Sequence, residues 1–314
     1  MERKGGQGVV IGVLLISLMI FGGKVWAQEK TVSDATYVGR EKCQECHEDE
    51  VAKFVETRMG KIFSHGPRNA LEQRVCESCH GPGSAHVEDP LDPKAMLYFG
   101  KKSSASVAEQ NRACLQCHEK GGQTYWIGSP HEARGMACTE CHKVMEKTAD
   151  RFQLVSEDEV TPFYARRANS EVCFQCHLQK RAQLLRSSHM PLREGKIDCS
   201  DCHNPHGTAT PALLIENSVN ENCYKCHAEK RGPFLWEHPP VLENCLNCHE
   251  PHGSIHADLL KVKMPRLCQQ CHIDIRHPTE PFAPTSRFVF NRSCTNCHSQ
   301  IHGSNHPSGV MFQR

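Results

Sequence analysis

Residues 294–309 of the chain read CTNCHSQIHGSNHPSG. The stretch holds two cysteines with two residues between them, a histidine directly after the second cysteine, and two more histidines further on. Cys-x-x-Cys-His is the attachment signature of a c-type haem: two thioether bonds hold the porphyrin edge, and the next histidine can reach the iron as proximal ligand. The signature recurs along the chain, so it decides how the whole protein is built.

The signature occurs ten times and uses all 20 cysteines of the 314-residue chain. We number the motifs 1 to 10 in chain order. Their cysteines are Cys43 and Cys46, Cys76 and Cys79, Cys114 and Cys117, Cys138 and Cys141, Cys173 and Cys176, Cys199 and Cys202, Cys223 and Cys226, Cys245 and Cys248, Cys268 and Cys271, and Cys294 and Cys297. The histidines that follow them are His47, His80, His118, His142, His177, His203, His227, His249, His272 and His298. The sequence thus predicts ten haem c groups, each with a proximal histidine.

Disulfide bonds, zinc sites and thiol redox chemistry are the other common uses of paired cysteines. None of them requires a histidine after every pair. A structural zinc site would also need two cysteine pairs for each ion and would leave those histidines unexplained. The pattern therefore favours haem attachment.

Eleven of the 21 histidines lie outside the motifs. Ten haems with two histidine ligands each need ten distal ligands, and these eleven histidines are enough to provide them. The candidate distal ligands are His65, His86, His131, His189, His206, His238, His252, His277, His302 and His306. The eleventh, His256, is the spare, and the sequence allows His256 and His306 to exchange these roles.

Taken in twos, the motifs predict five repeat units of the form motif, histidine, motif, histidine. The inner histidines are His65, His131, His189, His238 and His277, and the trailing ones are His86, His206, His252 and His302. The second unit has no trailing histidine, and the sequence does not assign histidines to haems. The methionines near histidines, Met59, Met136 and Met190, are interpreted as packing residues because histidine is in surplus.

Residues 1–27 have the pattern of a secretory signal peptide. Arg3 and Lys4 precede an apolar run from Val9 to Phe21, and Val25-Trp26-Ala27 provides a cleavage site. The run is shorter than the roughly 20 residues of a comfortable membrane span. An uncleaved N-terminal anchor is the alternative. The signal predicts export to the periplasm, where bacteria attach c-type haem.

The predicted fold is mainly α-helical and irregular: an elongated multihaem cytochrome with short helices and loops, little or no sheet and a haem-dominated core. We expect helical segments within residues 48–61, from about Ser106 into motif 3, and from a cap at Asn169 or Ser170 through motif 5 to Arg186. The stretch 143–172 could be a seam. It would divide the mature chain into haem-binding halves at 28–165 and 166–314, unless the two form one continuous unit.

Composition supports a core made mostly of haem. Hydrophobic residues are 38% of the chain with all cysteines included, and long apolar runs are few. The haem-free chain is therefore not expected to fold. The formal net charge of +1 becomes slightly negative without the signal, and two propionates per haem make the protein acidic. This argues against nucleic acid as a partner.

Several of these motifs resemble those of a known family. Ten motifs after a signal peptide, the CxxCHxPHG pattern at Cys199 and Cys245, and the ending CTNCHSQIHGSNHPSG resemble the MtrA/DmsE/PioA family of decahaem cytochromes over essentially the whole mature chain. The resemblance implies an elongated periplasmic protein, described as two related pentahaem halves, with two histidines on every iron.

The resemblance also implies partners. MtrA-like members insert into an outer-membrane β-barrel porin and pass electrons between a periplasmic or inner-membrane quinol-linked cytochrome and a cell-surface multihaem cytochrome. DmsE-like members serve an extracellular reductase, and PioA-like members carry electrons inward from ferrous iron. The expected location is the periplasm, in association with the outer membrane.

Three functions remain to be weighed. Iron with two histidine ligands has no open position, which favours an electron-relay protein without a substrate site of its own. A multihaem reductase would need an open iron, and the surplus of histidines argues against one. A soluble periplasmic electron shuttle differs from the porin conduit only in its partner.

Overall fold

The computed structural model describes residues 34–148, 165–273, 293–307 and 309. Within them the chain forms short helices joined by loops. The α-helices are α1 (Arg40–Gln44), α2 (Glu48–Glu56), α3 (Arg58–His65), α4 (Glu77–His80), α5 (Ser84–Glu88), α6 (Val107–His118), α7 (Ala165–Phe174), α8 (Leu178–Leu184), α9 (Val219–Tyr224), α10 (Pro239–Glu243) and α11 (Arg266–Gln269). The predicted fold class is confirmed.

Odd-numbered and even-numbered motifs occupy different elements. The first cysteine of each odd motif lies in one of the helices α1, α6, α7, α9 and α11. Motif 2 overlaps α4, and the later even motifs form single 3₁₀ turns at Cys138–Glu140, Cys199–Asp201, Cys245–Asn247 and Cys294–Asn296. The repeat of two motifs that the sequence predicts is therefore visible in the backbone.

Local sequence explains where two of these helices begin. Ser106 and Glu109 form a reciprocal capping box at the start of α6, which confirms the helix expected to lead into motif 3. The helical stretch expected within residues 48–61 is two helices instead. Thr57 adopts an extended conformation between α2 and α3, and its side chain accepts a hydrogen bond from the Gly60 N–H.

The helix expected through motif 5 differs from the prediction. Asn169 and Ser170 lie inside α7 rather than at its cap. The Ser170 hydroxyl instead lies 3.6 Å from the thiol of Cys199, so Ser170 contacts motif 6. The helix also ends at Phe174, and a new helix, α8, begins after His177, whose ψ of 52° is not helical.

Among the described residues, extended segments meet only as isolated bridges, such as Ser188 with Ser254 and Trp236 with Ser304. The apolar core is also small. Phe54, Phe63 and Val75 form a buried cluster near motif 2. Few large apolar side chains are buried elsewhere in the described residues, so packing between side chains alone contributes little to this fold.

Glu77, between the two cysteines of motif 2, holds the start of the described chain in place. Its buried carboxylate accepts hydrogen bonds from the N–H groups of Val38 at 2.9 Å, Gly39 at 3.0 Å and Gly83 at 2.8 Å. Three donors on one carboxylate satisfy a charge that would otherwise be costly to bury.

The predicted seam between two halves falls largely outside the described residues. Contacts nevertheless cross it: the side chain of Asn204 donates to the carbonyl of Gly122 at 2.8 Å. The division into halves remains a prediction. No helix within the described ranges is long and apolar enough to cross a membrane, and the apolar run of the predicted signal lies outside those ranges.

Candidate haem-binding site

Each motif folds into one helical turn that brings its first cysteine and its histidine together. In motif 1 the N–H of His47 donates to the carbonyl of Cys43 at 2.9 Å. The same bond recurs in the later motifs, for example from His298 to Cys294 at 2.9 Å. Residues four apart in such a turn share a face. The five-residue signature therefore presents thiol and imidazole to the same side, as attachment of one haem requires.

All ten motifs open onto one continuous cavity of about 4440 Å³. A pocket for one small ligand measures roughly 300–1,000 Å³, so this cavity has room for several large groups. Its lining includes all 20 cysteines and all ten motif histidines. Seven of the ten distal candidates also line it: His86, His131, His189, His206, His238, His252 and His302.

Six motif histidines each face one of these distal candidates. The pairs and the distances between their ring centres are His47–His86 at 6.1 Å, His142–His206 at 5.9 Å, His177–His131 at 6.2 Å, His203–His252 at 6.2 Å, His249–His302 at 6.1 Å and His272–His238 at 6.3 Å. Five pairs have nearly parallel rings, between 10° and 24°, and the His131–His177 pair is nearly perpendicular at 79°.

This spacing fits one iron between two imidazoles. A metal–imidazole nitrogen bond is about 2 Å long, and the nitrogen lies about 1 Å from its ring centre, so two rings on one metal have centres about 6 Å apart. The residues present therefore fit a haem held by two histidines.

Hydrogen bonds to the backbone orient many of these rings. The Nδ1 atoms of His80, His203 and His249 lie 2.8 Å from the carbonyl oxygens of Leu97, Ala212 and Asp258. The Nδ1 of His131 lies 2.7 Å from the carbonyl of Pro205. A ring that donates through Nδ1 leaves Nε2 free for a metal, and such outer contacts fix its orientation.

Burial keeps several of the paired histidines neutral. Loss of solvent and, to a smaller extent, the neighbouring His142 lower the pKa of His206 to about 4. Burial is also the main cause of the lowered pKa values of His252 and His302. The neutral imidazole is the form that binds a metal, so these side chains are ready to ligate at neutral pH.

The motifs contact one another in sequence order. The thiols of the first cysteines interact within each unit: Cys43 with Cys76, Cys114 with Cys138, Cys173 with Cys199, Cys223 with Cys245, and Cys268 with Cys294. The second cysteines interact between units: Cys79 with Cys117, Cys141 with Cys176, Cys202 with Cys226, and Cys248 with Cys271. The ten motifs thus form one uninterrupted row that follows the chain.

The histidine pairs follow two rules. A trailing histidine faces the even motif of the preceding unit: His206 faces motif 4, His252 faces motif 6 and His302 faces motif 8. An inner histidine faces the odd motif of the next unit, as His131 faces motif 5 and His238 faces motif 9.

The first unit is an exception, because His86 faces motif 1 of its own unit. The other five histidine pairs each link two different repeat units.

The other candidates are placed differently. His189 lines the cavity, and its Nε2 lies 3.2 Å from the Glu194 carboxylate. Among the described residues, His65, His256 and His306 are not part of the cavity wall. His277 lies outside the described residues. No stacked histidine pair within the described ranges includes the proximal histidine of motif 2, 3 or 7.

Two buried asparagines that the sequence analysis did not single out join neighbouring motifs. The side chain of Asn111 accepts from the Cys138 N–H at 2.8 Å and donates to the Met136 carbonyl at 2.9 Å. Asn220 accepts in the same way from the Cys245 N–H at 2.7 Å. Both stand three residues before the first cysteine of an odd motif. This shared position is the sequence signal from which they could have been predicted.

The sequence of the chain is similar to those of known proteins. The family described as doubled CXXCH motif matches residues 189–232 and 238–277, and the family described as cytochrome c-type protein NrfB-like matches residues 76–163. The chain is 41% identical to the multiheme cytochrome MtrA of Shewanella baltica over 88% of its own length and 81% of that protein. It is 21% identical to the cytochrome c-type protein NrfB of Haemophilus influenzae over 48% of its length and 78% of that protein.

Proposed function

Because the chain belongs to the MtrA family of multihaem c-type cytochromes, whose members transfer electrons, we propose that it relays electrons along a row of ten haems across the outer membrane. One end of the row would exchange electrons with periplasmic redox partners. The other would exchange them with acceptors or donors at the cell surface. The protein would have no substrate site of its own.

The proposal rests above all on the unbroken order of motif contacts. First cysteines interact within units and second cysteines interact between units, so each attachment site from motif 2 to motif 9 has a neighbour on either side along the row. The cavity that they line is continuous. A relay needs such continuity, whereas a single catalytic centre does not.

In this proposal the six facing histidine pairs are axial ligand pairs. The motif cysteines hold the porphyrin edges, and the backbone carbonyls at Nδ1 fix the ring orientations. When bound, the haems supply one-electron chemistry between ferric and ferrous iron. Two histidines per iron leave no open position and lack the methionine that raises the potential in many c-type cytochromes, so low potentials are expected.

The proposed partners are an outer-membrane β-barrel porin, a cell-surface multihaem cytochrome and a quinol-linked cytochrome of the periplasm or inner membrane. The proposed location is the periplasmic side of the outer membrane, with residues 1–27 as the export signal. The identity to MtrA over 81% of that protein supports this proposal, because a match of that extent leaves little of either chain unaccounted for.

Fractionation of cells that express the full chain tests the proposal. Membranes and periplasm are separated, haem-stained after electrophoresis, and the proteins that co-purify with the cytochrome are identified by mass spectrometry. We expect the cytochrome in the outer-membrane fraction with a β-barrel protein. A cytochrome found alone in the soluble periplasm would overturn the conduit and favour an electron shuttle. A high-spin ferric signal that responds to nitrite or hydroxylamine would favour a reductase.

A further inference from the structure

Two loops that present trailing histidines share a backbone arrangement but differ in the side chain beside the imidazole. The residue two places before the trailing histidine is Asn204 in the loop of His206 and Glu250 in the loop of His252. In both loops the N–H of that residue donates to the carbonyl of the residue nine places on, at 2.8 Å and 2.7 Å. Its carbonyl accepts from the glycine after the histidine, at 3.1 Å and 3.2 Å. Asn204 and Glu250 are therefore structurally equivalent.

Both side chains contact the ring of the trailing histidine. The Nδ1 of His206 lies 3.2 Å from Oδ1 of Asn204, and the Nδ1 of His252 lies 3.3 Å from Oε1 of Glu250. The amide group of Asn204 donates to the carbonyl of Gly122 at 2.8 Å, which turns its oxygen towards the ring. Each ring can thus donate from Nδ1 and keep Nε2 for iron. The acceptor is neutral in the first loop and a carboxylate in the second.

We propose that Glu250 is a positioning residue that lowers the midpoint potential of the haem at motif 6, because its carboxylate accepts the Nδ1 hydrogen of His252. This inference rests on the proposed function, in which His203 and His252 are the axial ligands of that haem. It leaves the ligands themselves unchanged and assigns a role to the residue behind one of them.

Two effects of the carboxylate act in the same direction. A carboxylate that accepts from Nδ1 makes the imidazole a stronger electron donor to the metal. Its negative charge also favours ferric over ferrous iron, since ferric iron carries one more positive charge. A neutral amide provides the hydrogen bond without the charge. The carboxylate of Glu250 therefore holds the potential of this haem below the value that an amide at the same place would give.

Partial burial makes this contact effective. The side chains of His252 and Glu250 are 31% and 28% exposed. Another carboxylate, that of Glu229, lies 3.5 Å from the Nδ1 of His227, but both of those side chains are 59% exposed. Water screens an exposed pair strongly, so the contact of Glu250 with its histidine has the larger effect.

A cation opposes Glu250 in part. The ammonium group of Lys180 acts on both Glu250 and His252. An ammonium group has only donors, so it cannot accept the Nδ1 hydrogen. Lys180 therefore reduces the effect of the charge of Glu250 and leaves the hydrogen bond from His252 to the carboxylate.

Motif 8 provides a comparison within the chain. The Nδ1 atoms of His203 and His249 both lie 2.8 Å from the carbonyl of the residue nine places on, so the proximal histidines of motifs 6 and 8 are held alike. On the distal side, the residue two places before His302 is Gln300, a neutral amide. The two sites therefore differ in charge at the position of Glu250.

A lowered potential at motif 6 creates a step within the row. The haem there becomes ferrous later in a reductive titration than it would with a neutral residue at position 250. Electrons that move in either direction along the row must pass this site against the potential. The side chain at position 250 thus influences the rate of the relay.

Potentiometric titration of the purified holoprotein, followed by haem absorbance, tests the proposal. Glu250→Gln keeps the side-chain length and an acceptor oxygen but removes the charge, so one midpoint potential should rise while all haems stay low-spin. Glu250→Asn introduces the residue of the equivalent loop and should raise the same potential. The electron paramagnetic resonance signal of one low-spin ferric haem should also shift, because the donor strength of its imidazole changes.

Glu243→Gln is the matched control. It removes the same charge from an exposed residue outside the cavity wall, so potentials and spectrum should stay unchanged. Potentials in Glu250→Gln that move no more than those in Glu243→Gln would overturn the assignment. A high-spin haem in Glu250→Gln would also overturn it, because that result would show a structural role in holding the loop.

His252→Ala separates this inference from the proposed function. Loss of the distal ligand should convert one haem to the high-spin state, and the titration component of that haem should be the one that moves in Glu250→Gln. A high-spin haem in His252→Ala without a shift in Glu250→Gln would contradict only the role of Glu250. A wild-type spectrum from His252→Ala would contradict the proposed ligand pair and, with it, this inference.

Discussion

The rings of His142 and His206 lie 5.9 Å apart with an angle of 10° between their planes. His142 ends motif 4, and His206 follows motif 6, on the other side of the predicted boundary between two halves. The rings of His131 and His177 also face each other across that boundary. A haem ligated by either pair would join the two halves, so ligation and tertiary structure depend on each other here.

Replacement of His206 should open one haem. In His206→Ala the iron of motif 4 loses its distal ligand, and we expect one high-spin ferric haem in the electron paramagnetic resonance spectrum. His206→Met should instead raise one midpoint potential, because methionine favours the ferrous state relative to histidine. His256→Ala is the matched control and should leave spectrum and potentials unchanged. A wild-type spectrum from His206→Ala would show that His206 is not a ligand.

Gly253→Ala should displace the loop that carries His252. Gly253 has φ of +140°, a region that other residues rarely adopt, and an added Cβ would meet the carbonyl of Gln183. We expect the free energy of unfolding to fall by about 1–3 kcal/mol and motif 6 to become partly high-spin.

The control for Gly253→Ala is Gly122→Ala, where a Cβ meets nothing within 4 Å. Thermal unfolding followed by circular dichroism compares the two variants. Equal stability of both would contradict the steric argument.

Asn111→Leu should loosen motif 4 from the helix α6. The substitution leaves the Cys138 N–H and the Met136 carbonyl without their buried partner, so a loss of about 1–3 kcal/mol is expected. The measurement is the shift of the denaturation midpoint in guanidinium. Asn247→Ala is the control, since the side chain of Asn247 is exposed and donates one hydrogen bond, to the Pro240 carbonyl. That variant should change stability by less than about 0.5 kcal/mol.

Acid should remove the contribution that the Arg68–Glu72 pair makes to the stability of the fold. Hydrogen bonds from Arg68 lower the pKa of the Glu72 carboxyl, with Nη2 of Arg68 2.7 Å from a carboxylate oxygen. A carboxyl with a lowered folded pKa stabilises the fold above its unfolded value of about 4.3, and this contribution disappears as the pH falls through the folded pKa.

The pH dependence of stability measures this contribution. Glu72→Gln should be less stable than the wild type at pH 7, and the difference should shrink as the pH approaches about 3. Circular dichroism is the suitable signal, because haem absorption responds to acid independently. A difference that stays constant over this range would contradict the linkage.

Much of the site could be predicted from local sequence. The thiol and imidazole groups of a motif such as Cys43 to His47 meet within one helical turn, so their spacing along the chain is enough to find them. The start of α6 near Ser106 was also predicted, and the capping box that Ser106 and Glu109 form there is equally local. The misplaced start of α7 shows the limit: Ser170 looked like a cap, yet its hydroxyl contacts a cysteine of another motif.

The sequence by itself determined the number of Cys-x-x-Cys-His motifs and the pool of further histidines, because both can be read from residue types and their local spacing. Only the tertiary structure decided the partners: His206 faces motif 4 and His252 faces motif 6, each with two motifs between them in the chain. The order of the row was decided there too. Such pairings depend on how successive turns dock through contacts like Gly253 on Gln183, and local spacing does not encode that geometry.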